Sequence, residues 1–151
     1  MTRAPFQVLV LLHRQAPQGD IEYGIFRRRD HDYWQGIAGG GEDAETPLEA
    51  AYRETAEEAG LAPAEVVLNQ LTSLAMIPAI QFGGMLWGPS LPVIPEYAFG
   101  AKCEAQADVN ISSEHVEFRW APYEEAASLL KWDSNRTALW ELDYRLSVAE
   151  T

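Results

Sequence analysis

The densest group of residues able to do chemistry lies between positions 42 and 58. That stretch contains one basic residue, Arg53, and the carboxylates Glu42, Asp43, Glu45, Glu49, Glu54, Glu57 and Glu58. Carboxylate oxygens gathered in this way suit a hard divalent cation such as Mg²⁺ or Mn²⁺, which takes its other ligands from water and from substrate phosphates. The stretch therefore predicts a magnesium or manganese site, with a solvated acidic surface as the alternative.

The residues around this stretch predict a helix that carries several of the carboxylates. The segment Thr46-Pro47-Leu48-Glu49 combines a capping residue, a proline suited to the first helical position and a glutamate three residues after the cap. Gly60 can adopt the left-handed conformation that ends a helix. We therefore expect a helix from Pro47 to Ala59.

Three of the carboxylates share one face of this expected helix. Glu54, Glu57 and Glu58 stand at positions i, i+3 and i+4, where like charges destabilise a helix by about 0.2 to 0.5 kcal/mol per pair. Helix propensity therefore does not explain why the three are gathered, and a bound cation would.

The spacing from Gly39 to Leu61 resembles the signature of the Nudix hydrolase family, G-x5-E-x7-R-E-U-x-E-E-x-G-U, in which U is apolar. After Gly39 and Glu45 the sequence reads Arg53-Glu54-Thr55-Ala56-Glu57-Glu58-Ala59-Gly60-Leu61. Thr55, at an apolar position, is the one departure. The resemblance implies an α/β/α sandwich with a mixed β-sheet, and an enzyme that uses Mg²⁺ or Mn²⁺ to hydrolyse a nucleoside diphosphate linked to another group.

The family pattern also implies roles for the matching residues. Glu54, Glu57 and Glu58 would bind the metal or activate the attacking water, and Gly39 would offer a backbone carbonyl to a metal. Arg53 would hold the carboxylates in place, with a bridge from Arg53 to the loop carboxylate at position 45. The reaction would be an in-line attack by water on a phosphorus of the pyrophosphate, assisted by two or three metal ions.

Short motifs outside the signature resemble the bacterial dihydroneopterin triphosphate pyrophosphatase branch of the family. They are Arg28-Arg29-Asp30, Tyr33-Trp34-Gln35-Gly36, Glu114-His115 before a strand with Trp120, and Trp132-x-Ser134-Asn135-Arg136. The resemblance implies that Glu114 completes the metal site, so Glu54 and Glu114 compete for the role of general base. A stretch rich in Gly and Pro, residues 78 to 95, departs from the branch and leaves the substrate open, because loops often set specificity.

The predicted substrate-binding residues are Arg28, Arg29, Trp34, Asn135 and Arg136. The two neighbouring arginines are candidates for forked hydrogen bonds to phosphate, with an ion pair to Asp30 as the alternative. Trp34, like Trp87 and Trp132, is a candidate for stacking on a pterin or purine ring, and core packing is the alternative.

The remaining elements predict how this site is positioned. Strands are expected over residues 6–13, 21–28, 66–76, 93–103 and 115–120, a glycine-rich loop over 39–45, a short helix from Ala121-Pro122 through Leu130, and a last helix from Asp133 or Ser134. Strands interspersed with two main helices suggest a mixed sheet covered by helices on its faces.

Size and charge limit the possible partners. The 151 residues and 16.8 kDa match one domain, so we expect a single domain over residues 1–151. A formal net charge of −12 argues against a nucleic-acid polymer or an anionic membrane as partner. One cysteine and no apolar run long enough to span a bilayer favour a cytoplasmic protein. A homodimer is left open.

These features together predict a Nudix pyrophosphohydrolase that cleaves a small pterin or nucleoside triphosphate to a monophosphate and pyrophosphate. Dihydroneopterin triphosphate is the favoured substrate. The alternatives are a housekeeping pyrophosphatase of nucleoside triphosphates or ADP-ribose and, from another functional class, a Nudix-like binding or sensor domain without catalysis. Such binding domains commonly lose glutamates of the signature, and this sequence retains all of them.

Overall fold

A mixed seven-stranded β-sheet with helices on both faces forms the architecture of the computed structural model, which describes residues 2–149. The strands are β1 (Arg3–Gln15), β2 (Ile21–Arg28), β3 (Trp34–Gln35), β4 (Ile37–Glu42), β5 (Val66–Pro78), β6 (Val93–Cys103) and β7 (His115–Ala121). The α-helices are α1 (Pro47–Ala59), α2 (Tyr123–Leu129) and α3 (Asp133–Ala149), and short 3₁₀ helices cover Pro63–Glu65 and Ala79–Phe82. The expected α/β/α sandwich with a mixed sheet is confirmed.

The strand β1 organises the sheet because it pairs with three other strands. The order along the sheet is β3-β2-β1-β6-β5, with β4 pairing with β1 and β7 pairing with β2. Residues Leu12 to Gln15 of β1 pair with β2, whereas Arg3 to Val10 pair with β4. The β1–β6 pair is parallel, which makes the sheet mixed. This change of partner along β1 places β4, the strand that leads into α1, directly beside the central strand of the sheet.

Each face of the sheet has its own hydrophobic core, because side chains of a strand alternate between the two faces. Val8, Val10 and Leu12 of β1 pack with α1 on one face. Leu9 and Leu11 pack on the other face, against residues of α2 and α3. The apolar run near the chain start is therefore a central strand that is buried on both sides.

The boundaries of α1 are those that the sequence predicts. The Thr46 hydroxyl accepts a hydrogen bond from the Glu49 N–H at 3.2 Å, and the Glu49 carboxylate accepts one from the Thr46 N–H at 2.8 Å, which forms a capping box. Gly60 ends the helix with φ of 68°, in the left-handed region. Thr55 is fully buried, and its hydroxyl donates to the Ala51 carbonyl at 2.7 Å, so this departure from the family pattern leaves no unsatisfied polar group.

The prediction of a glycine-rich loop over residues 39–45 is wrong for its glycine part, because Gly39, Gly40 and Gly41 lie inside β4 and only residues 43–45 belong to the connection to α1. These glycines serve close packing and not a turn. A Cβ atom on Gly39 would overlap the Glu54 carboxylate, and one on Gly40 or Gly41 would overlap side chains of β1. The three consecutive glycines indicated a flexible loop from the sequence. In the structure they are needed because the side chains packed against β4 leave no space for a Cβ atom.

Smaller differences concern lengths. The strands β1, β5 and β7 extend beyond their predicted ends, and the two-residue strand β3 was not predicted. The irregular stretch after β5 includes a 3₁₀ helix, and the Trp87 Nε1–H donates to the Arg3 carbonyl at 2.9 Å, which ties this stretch to β1. Within residues 2–149, no helix is both long enough and apolar enough to cross a membrane.

Replacing Thr46 tests the capping box. Thr46→Ala removes the side-chain acceptor of the N-cap, and we expect it to cost about 1 kcal/mol of folding stability. For a domain of this size that corresponds to a fall of roughly 2 to 4 °C in Tm. Thr46→Ser retains the acceptor and serves as the control in the same thermal melts. Equal melting of the Ala variant and the wild type would contradict a contribution of this cap.

Candidate active site

The acidic face of α1 adjoins a cleft of about 670 Å³. Residues from β1, β2, β4, β5 and β6 line the cleft, together with the loop before β7 and the start of α3. Gly39 and Gly40 of β4 form the part of the lining next to α1, since Gly39 lies against the Glu54 carboxylate. The volume is typical of a site for a small molecule.

Arg53 is the centre of the ionic network on α1. Its guanidinium forms hydrogen bonds with both oxygens of Glu45 at 2.8 and 3.0 Å, and with the Gly40 carbonyl at 2.8 Å. It also pairs with Glu54 at 2.8 Å and with Glu57 at 3.3 Å. The predicted bridge between Arg53 and Glu45 is therefore present. Arg53 is a positioning residue that ties α1 to β4, and these acidic partners raise its pKa.

The three carboxylates on the face of α1 differ in exposure. Glu54 and Glu58 are buried, at 9% and 4% of their accessible surface, whereas the Glu57 side chain is 57% exposed. Burial, together with hydrogen bonding to Glu54 and the charge of Glu114, raises the pKa of Glu58. Two buried carboxyl groups in contact disfavour double ionisation, and a cation would relieve that cost.

The environment of Glu58 contains polar atoms without partners. Among the residues that the structure describes, Glu58 Oε2 and His115 Nε2 are buried and form no hydrogen bond. His115 Nε2 lies 3.5 Å from Glu58 Oε1, and burial lowers the pKa of His115, which favours the neutral imidazole. The sequence indicated no role of its own for His115, although its position next to Glu114 was a signal that it adjoins the site.

The donor set fits a hard divalent cation. Across residues 2–149 no three acidic, His or Cys side chains are already gathered as a complete metal-binding group. The site nevertheless offers a buried carboxylate oxygen with no hydrogen bond, on Glu58, beside Glu54 and the backbone of Gly39. Oxygen donors of this kind match Mg²⁺ and Mn²⁺, which bind through few carboxylates and retain water and phosphate ligands.

Glu114 lies in the loop that leads into β7 and lines the same cleft. Its backbone carbonyl accepts a hydrogen bond from the Arg29 N–H at 2.9 Å, which attaches the loop to the end of β2. Its charge acts on both Glu58 and His115. Glu114 is thus near enough to the acidic face of α1 for its charge to act on Glu58, and its role in completing a metal site stays a prediction.

Two of the predicted substrate-binding residues line the cleft. Arg28 does so while its guanidinium forms a forked ion pair with Asp30, with both hydrogen bonds at 2.8 Å. Asn135 is buried at the start of α3, and its Oδ1 accepts a hydrogen bond from the Gly36 N–H at 2.9 Å.

The other three predicted substrate-binding residues have structural contacts outside the cleft lining. Arg29 donates to the Ser113 carbonyl at 2.9 Å. Trp34 packs against the core beneath α2 and α3, with the Arg119 guanidinium 5.0 Å from the centre of its ring. Arg136 donates to the carbonyls of residues 130 and 131 and pairs with Asp133, so it holds the start of α3. Their role in substrate binding stays a prediction.

The sequence reasoning did not identify several residues that line the cleft, and the most informative of them is Glu96. Glu96 is 7% exposed in β6, where the Ser134 hydroxyl donates a hydrogen bond to it, and burial raises its pKa to about 7. Arg3, Gln7 and Phe82 are further lining residues that the sequence did not single out, whereas Trp132, a predicted stacking candidate, and Tyr33 and Gln35, from a quoted motif, also line the cleft. The signal that the sequence offered for Glu96 was a carboxylate in the otherwise uncharged part of this segment, residues 93–101.

Comparison with known proteins agrees with this site. The model of the NUDIX domain matches residues 3–140. A solved structure assigned to the NUDIX hydrolases, from Listeria monocytogenes, is 42% identical, with a TM-score of 0.81 and coverage of 97% of each chain. The dihydroneopterin triphosphate diphosphatase of Escherichia coli K12 is 28% identical over 142 residues, which are 91% of each chain. The solved structure of the E. coli dihydroneopterin triphosphate pyrophosphohydrolase has a TM-score of 0.74 at 25% identity and covers 92% of this chain and 94% of that one.

One further relative carries a different activity in its name. An RNA pyrophosphohydrolase of Roseobacter denitrificans is 33% identical over 130 residues, which cover 81% of this chain and 80% of the relative.

The family match spans the cleft, the acidic face of α1 and Glu114 alike. The chain therefore belongs to the NUDIX domain family and is a Nudix hydrolase, an enzyme of phosphoric anhydride bonds.

Proposed function

We propose that this enzyme is a Mg²⁺-dependent, or Mn²⁺-dependent, pyrophosphohydrolase that converts a pterin or nucleoside triphosphate to a monophosphate and pyrophosphate. The observation that carries the proposal is the position of the acidic face of α1 beside a cleft that Arg28 and Glu114 line. The named E. coli relative, similar over 91% of both chains, favours dihydroneopterin triphosphate as the substrate. We further propose that the enzyme is cytoplasmic and that its substrates are small molecules.

The residues of the site divide the work of the reaction. The proposed metal ligands are Gly39 through its carbonyl, Glu54, Glu57, Glu58 and Glu114. When bound, a divalent cation would lower the pKa of the attacking water and neutralise charge on the phosphoryl oxygens. Arg53 holds α1 against β4 so that the carboxylates keep their places. Glu54 or Glu114 accepts the proton of the attacking water.

Arg28 is the proposed contact for a substrate phosphate. Its guanidinium already forms a planar, two-bond contact with a carboxylate, which is the geometry that a phosphate would also accept. Asp30 is half-exposed, so phosphate and Asp30 can share the cation at the rim of the cleft. Asn135, also in the lining, is held in place by Gly36 and contributes to the far wall.

The relative from Roseobacter favours a second candidate, the 5′-triphosphate end of an RNA. The chemistry at the phosphates would be the same, and the difference would lie in how the rest of the substrate is held. The net charge of −12 counts against a long polyanion, because it opposes the approach of a polymer whose many phosphates extend beyond the cleft.

A substrate panel tests the proposal. The protein is incubated with Mg²⁺ and, separately, dihydroneopterin triphosphate, the four dNTPs, ADP-ribose, diadenosine polyphosphates and a 5′-triphosphorylated RNA, and the release of pyrophosphate and phosphate is measured. We expect pyrophosphate from dihydroneopterin triphosphate at the highest kcat/KM. Preference for the RNA would establish the second candidate, and no turnover of any triphosphate would overturn the proposal.

Two glutamates of α1 allow a test of the metal ligands. Glu57→Gln and Glu58→Gln are each expected to lower kcat at least about 100-fold, because each removes a ligand charge. The fold should persist, since Glu57 is exposed and an amide at position 58 avoids the cost of a buried carboxylate. Glu124→Gln, at an exposed position of α2, is the matched control. Retention of more than about half of the wild-type rate at saturating Mg²⁺ would contradict the assignment of that residue.

Metal binding should also be visible without turnover. A cation that binds only the native state stabilises it by mass action, and at ten times its Kd the gain is about 1.4 kcal/mol, or roughly 3 to 5 °C in Tm. We expect millimolar Mg²⁺ to raise Tm and a chelator to reverse the rise, with a smaller rise for Glu58→Gln than for the Glu124→Gln control. Melting that does not respond to Mg²⁺, with and without nucleotide, would favour a merely solvated acidic surface.

A substitution at Glu114 tests whether Glu114 or Glu54 is the general base. If Glu114 takes the proton from water, Glu114→Gln lowers kcat strongly with little change in KM, and the loss shrinks as rising pH supplies hydroxide. Full kinetics of this variant between pH 6 and 9 provide the measurement. A normal kcat would remove Glu114 from the reaction and leave the base role to Glu54.

A further inference from the structure

Glu96 is a buried carboxyl group in the cleft that the proposed chemistry does not use. It projects from β6, lines the cleft and also lines an adjoining smaller cavity with Ser73, Ala98 and Thr137. No Lys, Arg or His among residues 2–149 forms an ion pair with it, and the Ser134 hydroxyl is its hydrogen-bond donor. A buried carboxylate without a cation costs folding stability.

Sheet geometry separates Glu96 from the metal end of the cleft. Gln7 of β1 lies opposite Gly40 of β4 on one side and opposite Glu96 of β6 on the other. Glu96 is therefore two strand spacings, about 10 Å, from Gly40. A triphosphate held next to Gly39 and Arg28 would have room for a sugar or a short polyol before its ring reaches Glu96.

The surroundings of Glu96 suit a flat polar ring. Aromatic and apolar side chains of Tyr33, Met76, Phe82 and Trp132 line the cleft. Its polar lining includes Gln35, whose Nε2 is buried and has no hydrogen-bond partner among the described residues. Apolar walls with a few placed polar groups are the usual construction of a site that orients a heterocycle.

We propose that Glu96 recognises the ring edge that guanine and pterins share, an exocyclic 2-amino group beside a ring N–H. This inference rests on the proposed function, because it names the part of the triphosphate that sets specificity. An ionised carboxylate only accepts hydrogen bonds, and its two oxygens match two parallel N–H donors. Adenine presents one donor and one acceptor and leaves one oxygen of Glu96 facing a lone pair.

Three nucleotides test the proposal, because dGTP and dITP differ only in the 2-amino group and dATP reverses the pattern of the edge. Binding is measured by calorimetry in a chelator, so that turnover does not interfere. We expect the wild type to bind dGTP at least about tenfold more tightly than dITP or dATP, since a site built for a donor rejects a ligand that lacks it.

Two substitutions then isolate Glu96. Glu96→Ala removes both acceptors and should bring the dGTP to dITP ratio close to 1, and Glu96→Gln, whose amide matches adenine, should shift the preference toward dATP at least about tenfold. The control Glu124→Gln makes the same chemical change at an exposed site outside the cleft. Melting temperatures verify that each variant is folded.

The outcomes separate this inference from the proposed function. Wild-type binding that does not discriminate among the three nucleotides, or no binding at all, overturns the role of Glu96 whatever the substrate panel gives. An equal loss of affinity for all three nucleotides in both variants also overturns it, because a merely structural role would act in that way. Discrimination by the wild type that Glu96→Ala abolishes supports the inference, even if hydrolysis is absent and the proposed function fails.

Discussion

The attachment of α1 to β4 through Arg53 is the interaction on which the site depends. Four acidic side chains, Glu42, Glu45, Glu54 and Glu57, crowd around the Arg53 guanidinium, and without it their mutual repulsion would drive the helix and the strand apart. The same guanidinium also binds the Gly40 carbonyl, so the backbone of β4 is held at a fixed place relative to α1. Glycine at position 39 completes this arrangement, because any side chain there would displace the Glu54 carboxylate.

Much of the fold could be predicted because local signals were strong. The capping segment at Thr46 and the glycine at position 60 defined α1 to the residue, since both act through short-range hydrogen bonds and backbone conformation. The apolar run of β1 was identified as a buried strand for a similar reason. By contrast, the glycines of β4 were misassigned as a loop, because their neighbours Glu54, Arg3 and Phe6 are distant in the sequence.

The same distinction holds for the candidate site. The carboxylates of α1 followed from helical spacing and family resemblance, and Glu114 from resemblance alone. Arg29, Trp34 and Arg136 belonged to motifs that resemble the branch, yet the structure engages each of them in contacts that support loops or the start of α3. Glu96 and His115 were not identified in their present roles. Their burial and their neighbours on other strands decide what these residues do, and the sequence of a single strand predicts neither.

The tether between Trp87 and Arg3 has a consequence for how this enzyme can diversify. The segment between β5 and β6 covers the cleft through Gln81 and Phe82, and the Arg3 guanidinium lies 4.7 Å from the centre of the Phe82 ring. This segment is anchored to the first strand, and among the described residues it has no hydrogen bond or ion pair with Arg53 or the carboxylates of α1. Insertions or substitutions in the segment between β5 and β6 therefore alter which substrates enter, while the residues that hydrolyse the bond are inherited unchanged. The part of this small domain that sets the substrate range is thus separate from the part that cleaves the bond.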